Sequence, residues 1–346
     1  MLKRISLMMV CCAWVPLMAQ PTVSSMKVAV EELRGYIAWV AAEGYILSGQ
    51  HITGSRLSLA EPRNEFTHVQ NLTGEAPAIL GMDLWVPQSA QVTEEVRRRA
   101  TVAMAIEQWR QGGLVTISWH HEYPGVEKGL WENVQTERSQ ADFDLMLTPG
   151  TEEYAIWLAE VDGIALYLQK LQEAGVPVIF RPYHEMDGGW FWWGAKEPES
   201  FHRLWRNLYR RLVDHHGLEN LLWSWSPNQN AQMVYYPGDT WVDFTGVDAY
   251  LPTRNEAVIL SDEKKLEEVS VQPFALTEVG LLPAIEQLAE TRYAWFLVWH
   301  TGWCDNEFYG MPGNNGPGNS PEVLKEIYAW EKALHRGDVD LQAPKK

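Results

Sequence analysis

The segment from Val176 to Gly194 reads Val-Pro-Val-Ile-Phe-Arg-Pro-Tyr-His-Glu-Met-Asp-Gly-Gly-Trp-Phe-Trp-Trp-Gly. Its first five residues form a short apolar run, which is typical of a strand buried on both faces of a parallel sheet. Arg181, His184 and Glu185 follow where the run ends, and a Gly-Gly turn then leads into four consecutive aromatic residues. The segment therefore predicts a buried strand whose carboxyl end carries titratable side chains beside aromatic rings.

Apolar runs of this kind recur along the chain and alternate with helical patterns. In chain order the eight runs are Tyr45–Ser48, Ala78–Gly81, Leu114–Ser118, Pro177–Phe180, Leu221–Ser224, Phe244–Val247, Phe274–Leu276 and Trp295–Val298. Eight strands that alternate with helices are the pattern of a closed parallel barrel. The sequence therefore predicts an α/β fold, a single (β/α)8 TIM barrel with its active site at the C-terminal face of the strands.

The segments between the strands have the spacing of amphipathic helices. Residues Glu153–Glu173 carry apolar side chains with a period of 3.6, and Gly175 follows the last of them. A second helix is predicted from Pro198 to Gly217, with proline at its start and glycine after its end. No linker or internal repeat divides the 346 residues, and barrels reach this length as one unit, so residues 20–346 are predicted to form one domain.

Each predicted strand is followed by polar or hydrogen-bonding residues. They are Gln50 and His51, Asp83, His120 and His121, His184 and Glu185, Asn228, Asp248 and Tyr250, Glu278, and Trp299 and His300. In a barrel all these positions converge at the carboxyl ends of the strands. Core packing does not explain such residues at all eight ends, so we expect a site there. The long irregular stretches 121–150 and 302–320 follow the third and eighth strands and are expected to wall its cleft.

Charge and aromatic content narrow the class of ligand. The net charge of −17 argues against nucleic acid, which requires clustered lysine and arginine. The 18 tryptophans suit stacking on sugar faces, because a pyranose presents a patch of C–H groups to an aromatic ring. The composition favours a neutral carbohydrate as the ligand.

The N-terminus has the pattern of an export signal. A lysine-arginine pair precedes an apolar stretch, ending at Ala19, that is too short to cross a bilayer comfortably. We therefore expect cleavage of residues 1–19 and an exported monomer, periplasmic or extracellular, without a membrane span. Lipid attachment at Cys11 or Cys12, on the outer surface, is the alternative. Cleavage would leave only Cys304, so no intrachain disulfide is expected.

The segment from Arg181 to Gly194 resembles the acid/base motif of glycoside hydrolase family 26, whose best-known members are β-mannanases. The Thr-Glu-Val-Gly motif around Glu278 and the Val-Asp-Ala-Tyr motif that ends at Tyr250 resemble two further motifs of this family in order and spacing. The resemblance implies a retaining hydrolase of β-1,4-mannosidic bonds in mannan, galactomannan or glucomannan. It assigns Glu185 as the general acid/base and Glu278 as the nucleophile, and it implies neither a metal nor another cofactor.

The same resemblance implies roles for four further side chains. His184, a mark of the family, would donate a hydrogen bond to a sugar hydroxyl next to the cleaved bond. His120, in a Trp-His pair after the third strand, would reach the sugar ring at the point of cleavage. Tyr250 would hydrogen-bond the nucleophile, and Trp190 would line the cleft on the leaving-group side.

Four more candidates rest on their positions. Trp299, at the end of the eighth strand, is placed to form the floor of the subsite where cleavage occurs, and Trp131 is a candidate for an outer subsite. Asp248 is expected behind the site or on a sugar hydroxyl. Arg181 lies one pleat back on the same strand face as Glu185, where it would either orient a carboxylate or pair with another acid at the barrel mouth. Asp187 stands where asparagine is commoner in the family, and its charge could shift the pKa of the acid.

Other functions stay open at this point. The same fold supports β-1,3-xylanases and mixed-linkage β-glucanases, and a non-catalytic carbohydrate-binding barrel would keep the tryptophans. A zinc hydrolase would use His120, His121, His184 and His300, although no short metal motif is present. Glu122, Glu132 and Glu307 are the fallback acids. Whether attack is internal or from a chain end, with release of mannobiose, depends on how the two long loops close the cleft.

Overall fold

Eight parallel strands close into a barrel within the part of the chain that the computed structural model describes, which is residues 23–342 without residue 91 and residues 311–316. The strands are β1 (Gly49–His51), β2 (Ile79–Asp83), β3 (Leu114–Trp119), β4 (Val178–Pro182), β5 (Leu221–Trp225), β6 (Phe244–Ala249), β7 (Phe274–Val279) and β8 (Phe296–Val298). Each strand pairs in parallel with the next, and β1 pairs with β8. The predicted (β/α)8 barrel is confirmed.

The first strand begins later than the sequence pattern predicts, and that prediction is wrong. Ile46–Leu47 pairs with Ala333–Leu334 in a separate two-stranded sheet, and the barrel strand begins only at Gly49. A side chain at position 49 would place its Cβ 2.5 Å from the carbonyl oxygen of Phe296. Glycine therefore allows β1 to approach β8 and close the barrel.

The helices form the outer layer and cover one end of the barrel. They are α1 (Val23–Ala42), α2 (Glu65–Thr73), α3 (Glu94–Arg110), α4 (Trp131–Val134), α5 (Gln140–Met146), α6 (Glu152–Glu173), α7 (Pro198–Tyr209), α8 (Val258–Val269), α9 (Ile285–Ala289), α10 (Asn306–Tyr309) and α11 (Pro321–Tyr328). The predicted helix Glu153–Glu173 is confirmed as α6, where the Thr151 side chain accepts a hydrogen bond from the Tyr154 backbone N–H. Such a cap contributes about 1 kcal/mol.

The predicted helix from Pro198 to Gly217 is interrupted in its second half. After α7 the backbone widens into a π-helix over Arg210–His215, in which the His216 N–H bonds to the Arg211 carbonyl. The Arg211 guanidinium reaches Asp162 of α6 with two hydrogen bonds of 2.6 Å. This ion pair joins the two helices across the turn where the helical geometry changes.

Helix α1 plugs the N-terminal end of the barrel. Its buried side chains, among them Leu33, Ile37 and Val40, pack in one apolar cluster with residues at the beginnings of the strands, such as Leu114 and Leu222. Full burial of an aliphatic side chain contributes about 1.5–3 kcal/mol. The open end is therefore the C-terminal face, where the polar residues after the strands lie.

The two long loops are more regular than expected. The stretch 121–150 contains α4 and α5, and the stretch 302–320 contains part of a 3-10 turn and α10. Residues 311–316 and the predicted signal, residues 1–19, lie outside the described residues. Across the described part of the chain, no helix combines the length and the apolar character needed to cross a bilayer.

Candidate active site

Glu185 follows β4 on a strained turn. Tyr183 and Glu185 have φ angles of 48° and 52°, a left-handed conformation that costs a non-glycine residue about 1–3 kcal/mol. Two hydrogen bonds hold the turn: the Glu185 N–H donates to the Ser226 carbonyl at 2.7 Å, and the Trp193 indole N–H donates to the His184 carbonyl at 2.7 Å. This backbone conformation directs the Glu185 side chain into the barrel mouth. Only 8% of the residue is exposed.

Glu278 lies at the end of β7 with a donor on each carboxylate oxygen. The Tyr250 hydroxyl donates to Oε2 at 2.7 Å, and an Arg181 guanidinium N–H donates to Oε1. The same guanidinium binds Asp248 at 2.8 Å, and Asp248 accepts a bond of 2.7 Å from Thr277. The carboxylate of Glu278 is therefore held in one orientation from two sides.

The fold brings Glu185 and Glu278 together although 93 positions separate them in the chain. One oxygen atom each of Glu185, Asp248 and Glu278 lie within 4.8 Å of one another. A single cation, Arg181, contacts two of these three buried carboxyl groups. Like charges this close cannot all ionise freely, so at least one carboxyl group must hold its proton to a higher pH.

Glu185 is the carboxyl group at the cavity surface that holds its proton. Burial and the nearby charge of Glu278 raise its pKa from 4.5 to about 8, although the Trp190 N–H bond and Arg181 act in the opposite direction. Burial also raises the pKa of Tyr250 well above its usual range, and the Glu278 charge adds to that rise. Tyr250 therefore remains a donor to Glu278 at neutral pH. The site pairs a neutral Glu185 with a hydrogen-bonded Glu278.

Two adjoining cavities open at this face of the barrel. The first, of about 400 Å³, contains both glutamates and is lined by His120, Trp131, Gln135, His184, Glu185, Trp190, Phe191, Asn228, Tyr250, Glu278, Trp299 and Trp303. The second, of about 460 Å³, shares four of these residues and continues past His51 and Asp83 toward Trp85 and His300. Together they form one elongated cleft, which fits a chain molecule better than a compact ligand.

A third cavity, of about 470 Å³, lies at the opposite end of the barrel. It is formed by residues 38–42 of α1 and residues 267–274, together with Arg292. Arg292 is an exposed residue that pairs with Glu267, and no buried group of perturbed pKa lines this cavity among the described residues. The buried glutamate of raised pKa that lines a cavity lies instead at the C-terminal face.

The two histidines of the first cavity, His120 and His184, have different environments. Nδ1 of His120 contacts the Asp83 carboxylate. Burial alone would raise the pKa of Asp83, but the His120 ring and the Trp85 N–H lower it to about 2. Nε2 of His184 lies 3.7 Å from Oε1 of Glu278. Burial and Arg181 lower the pKa of His184 well below its usual range, so it is a neutral imidazole.

The predicted aromatic residues divide into cleft walls and packing. Trp131 and Trp190 line the first cavity with 38% and 39% of their surfaces exposed, and Trp299 lines both cavities. The Trp190 N–H donates to Glu185 Oε2 at 2.6 Å. Trp192 and Trp193 are completely buried with their N–H groups on backbone carbonyls, so they pack beneath the cleft.

Two of the candidate site residues lie beneath the cleft. Arg181 and Asp248 are 1% and 0% exposed and line neither cavity. Both side chains point into the barrel interior, where the Thr277 hydroxyl and Glu278 bind them. Of the two positions left open for Asp248, the side chain takes the one behind the site and does not reach the cleft. Of the two roles left open for Arg181, orientation of a carboxylate and pairing with another acid, the side chain serves both.

The alternative acids do not lie in the cleft, and the four histidines proposed as zinc ligands do not converge on one point. Glu122 binds the Gly129 backbone, and Glu132 and Glu307 are exposed and line neither cavity. His121 points away from the cleft, with Nε2 2.6 Å from Glu160 and Nδ1 3.1 Å from the Tyr183 hydroxyl.

A resident metal does not fit the remaining donors. His120 and His184 bring ring nitrogens within 4.8 Å of each other and of a Glu278 oxygen, a spacing that a metal could span. The guanidinium of Arg181 already contacts that carboxylate. Its fixed positive charge would repel a cation at this position.

The sequence candidates omit several residues of the cleft. Phe191 and Trp303 line it, and Asp83 orients His120, although the sequence pattern identifies Asp83 only as a residue after a strand. Phe191 stands in the aromatic run after the Gly-Gly turn, which was the available signal. Trp303 lies in the stretch 302–320 that is predicted to wall the cleft, but no local pattern distinguishes it from its neighbours, so only the folded chain identifies it.

A parallel barrel whose mouth holds two close carboxyl groups between aromatic walls is the arrangement of barrel glycosidases. The sequence profile of glycosyl hydrolase family 26 matches residues 25–313. The chain belongs to this family, as the motif resemblance predicts.

Three relatives give the extent of the similarity. The mannan endo-1,4-β-mannosidase of Thermothelomyces thermophilus is 34% identical over 284 residues, which cover 77% of this chain and 54% of that protein. A mannan endo-1,4-β-mannosidase of Bacillus subtilis is 32% identical over 270 residues, which cover 73% of this chain and 72% of that protein. The solved structure of GH26A from Muricauda sp. superposes with a TM-score of 0.76 at 33% identity, over 92% of this chain and 98% of that chain. The chain spans about half the length of the Thermothelomyces protein.

Proposed function

We propose that this protein is a retaining glycoside hydrolase that cleaves β-1,4-mannosidic bonds in mannan, galactomannan or glucomannan. The observation that carries the proposal is the pair of glutamates whose oxygens lie within 4.8 Å at the barrel mouth. Retaining glycosidases hold their two carboxyl groups about 5–5.5 Å apart, whereas inverting enzymes leave about 6.5–9.5 Å for a water molecule. The observed spacing supports retention.

Glu185 is assigned as the general acid/base. A general acid must carry its proton at the working pH, and the pKa of about 8 that burial and Glu278 produce meets this requirement. The indole N–H of Trp190 accounts for one lone pair of Oε2 and fixes the rotamer of the side chain. Once Glu278 forms a bond to the sugar its charge disappears, so the pKa of Glu185 falls and the same group can act as a base.

Glu278 is assigned as the nucleophile. Its carboxylate accepts hydrogen bonds from Tyr250 and Arg181, which hold it in one orientation toward the cleft. Both donors lie on strands or directly after them, so the barrel scaffold itself sets the direction of attack.

The reaction then proceeds in two balanced steps. In the first, a Glu278 oxygen bonds to the anomeric carbon, the glycosidic C–O bond breaks, and the proton of Glu185 passes to the leaving oxygen. In the second, water attacks the anomeric carbon, Glu185 takes a proton from that water, and the bond to Glu278 breaks. Two inversions give net retention, and the enzyme returns to its starting protonation state.

The cleft supplies groups for binding the sugars. His184 and His120 line the first cavity with ring centroids 4.4 Å apart, and we assign them to hydroxyl groups of the sugar at the point of cleavage. Trp299 is assigned to the floor of that subsite. Trp190 is assigned to the leaving-group side of the cleft and Trp131 to an outer subsite, because each lines the first cavity and is more than a third exposed. Aromatic stacking on a sugar supports an elongated, neutral substrate.

Mannan is assigned as the substrate because two of the similar proteins are named mannan endo-1,4-β-mannosidases. A side-by-side assay of mannan, galactomannan, β-1,3-xylan and barley β-glucan tests this assignment. We expect reducing-sugar release from the two mannans. Release from xylan or barley glucan alone would contradict the mannan assignment, and tight binding without release from any of them would indicate a non-catalytic barrel.

Two variants test the roles of the glutamates. Glu278→Ala should lose activity by orders of magnitude, and added azide should restore turnover as α-mannosyl azide because it can occupy the vacated space. Glu185→Ala should lose activity on mannan but retain glycosylation by aryl mannosides whose leaving groups need no proton. Glu307→Ala, an exposed glutamate outside the cleft, is the matched control. Inverted products from the wild-type enzyme, or azide rescue in the opposite pattern, would overturn the assignment.

Two further properties follow from the proposal and from the N-terminal pattern. A time course of product sizes from mannohexaose separates internal cleavage from release of mannobiose at a chain end. We also infer export with cleavage after Ala19, which N-terminal sequencing of the protein recovered outside the cytoplasm would test. A mature N-terminus at Cys11 or Cys12 would instead indicate lipid attachment.

A further inference from the structure

Over the stretch in which it pairs with β6 and β8, strand β7 has one residue more than either neighbour. On the β6 side, Val247 pairs with Leu276 and Asp248 pairs with Glu278, so Thr277 has no partner. On the β8 side, Leu276 pairs with Phe296 and Val279 pairs with Val298, so three steps along β7 match two along β8. Both registers shift at the same place. Thr277 is therefore the inserted residue of a β-bulge.

The bulge changes the direction of the side chain that follows it. Side chains alternate between the two faces of a regular strand, and Leu276 and Val279 both pack in the apolar layer that contains the barrel helices. The two residues between them both point into the barrel: Thr277 bonds to Asp248, and Glu278 bonds to Arg181 and Tyr250. In an unbroken strand with Leu276 and Thr277 in their present directions, Glu278 would face the helices.

The barrel interior is shaped to receive Thr277. A Cβ at Gly246 of β6 would lie 2.5 Å from the Thr277 methyl carbon and 2.7 Å from the Ala275 carbonyl oxygen. Thr277 is 1% exposed, and its hydroxyl donates to Asp248 Oδ1 at 2.7 Å. The other oxygen of Asp248 binds Arg181, which in turn binds Glu278. Thr277 is therefore linked to the Glu278 carboxylate through the side chains of Asp248 and Arg181.

We infer that the bulge at Thr277 turns Glu278 into the cleft and that the Thr277 hydroxyl, bound to Asp248, is a positioning group for this carboxylate. The inference rests on the proposed role of Glu278 as the nucleophile. Thr277 itself touches no substrate, because it lines neither cavity. Its effect must therefore appear in the reactivity of Glu278 and not in substrate affinity.

Two substitutions at this position separate the hydroxyl from the volume of the side chain. Thr277→Val keeps the shape and the branched Cβ but removes the donor, whereas Thr277→Ser keeps the donor and removes the methyl group. We expect Val to lower kcat on mannan about tenfold to hundredfold, the range for leaving one buried hydrogen-bond acceptor without its donor, with little change in KM. Ser should retain kcat within about threefold. Equal kcat for the two variants, or a Val effect confined to KM, would overturn the inference.

Covalent labelling measures the nucleophile directly. With 2-deoxy-2-fluoro-β-mannosyl fluoride, a Glu278 oxygen bonds to the anomeric carbon while the C1–F bond breaks, fluoride leaves, and the fluorine at C2 stays on the sugar. The rate constant of this labelling should fall in Thr277→Val by a factor close to that of kcat and recover in Thr277→Ser, and thermal unfolding checks that both variants are folded. If labelling of the wild type falls on a residue other than Glu278, the proposed function fails. If Glu278 is labelled equally fast in both variants, only the present inference fails.

Discussion

Replacing Glu185 by glutamine should stabilise this protein, and the gain should depend on pH. Burial of the carboxyl group and the nearby charge of Glu278 together raise the pKa of Glu185 from 4.5 to about 8. Between these two values the folded protein keeps a proton that the unfolded chain releases, so folding becomes less favourable as the pH rises through this window. Glutamine cannot ionise, and its amide oxygen can still accept the bond from Trp190.

The size of the effect follows from the shift in pKa. Each unit corresponds to about 1.4 kcal/mol, so a rise from 4.5 to about 8 sets an upper limit of about 5 kcal/mol. About 3 kcal/mol of this would be expressed at pH 7 and almost none at pH 4, because at pH 4 Glu185 is protonated in both states. These are order-of-magnitude values for a group that is only 8% exposed. They are nevertheless large beside a typical free energy of unfolding of about 5–15 kcal/mol.

Urea denaturation followed by tryptophan fluorescence at pH values from 4 to 9 measures this difference, with refolding checked at each pH. Glu132→Gln, at an exposed position, controls for the change from carboxylate to amide. The free energies of wild type and Glu185→Gln should coincide near pH 4 and diverge as the pH rises. Parallel curves would refute the reasoning, because they would mean that the folded protein does not hold a proton on Glu185. The same variant should lose activity, a trade of function for stability that catalytic sites commonly show.

Three further substitutions test neighbouring contacts. Tyr250→Phe removes the 2.7 Å donor to Glu278 and should lower kcat on mannan about tenfold to hundredfold with a smaller change in KM, whereas a kcat within twofold of the wild type would contradict that role. Burial and Glu278 raise the pKa of Glu185 most, and the charge of Asp187 adds to that rise. Asp187→Asn removes this charge, so the alkaline limb of the pH profile of kcat/KM should move to lower pH by less than about one unit. A shift to higher pH would contradict this account. Trp193→Phe removes the donor to the His184 carbonyl from a buried position and should lower the free energy of unfolding by about 1–3 kcal/mol, and an increase in KM without a loss of stability would instead make Trp193 a substrate contact.

The residues at the ends of the strands show how much of the site can be predicted from the amino-acid sequence. A polar residue at the end of a buried apolar run must lie at the mouth of a barrel once eight such runs close, so Glu185, His120 and Glu278 could be assigned to one face from local pattern alone. The functional class followed from the motif around Glu185. Helix α1 escaped prediction because its role depends on the barrel end that it covers and not on a signal in its own residues.

What the sequence determined by itself is the repeating alternation of strands and helices and the set of side chains at the strand ends, because periodicity and short apolar runs are local properties. Which of those side chains touch one another was decided only by the closed barrel. Arg181 and Asp248 lie below the cleft because strand stagger and inward packing set their depth, which a linear pattern does not record. The bulge at Thr277 depends on the registers of two neighbouring strands, and the high pKa of Glu185 depends on burial and on a charge 93 residues away, so both exist only in the folded chain.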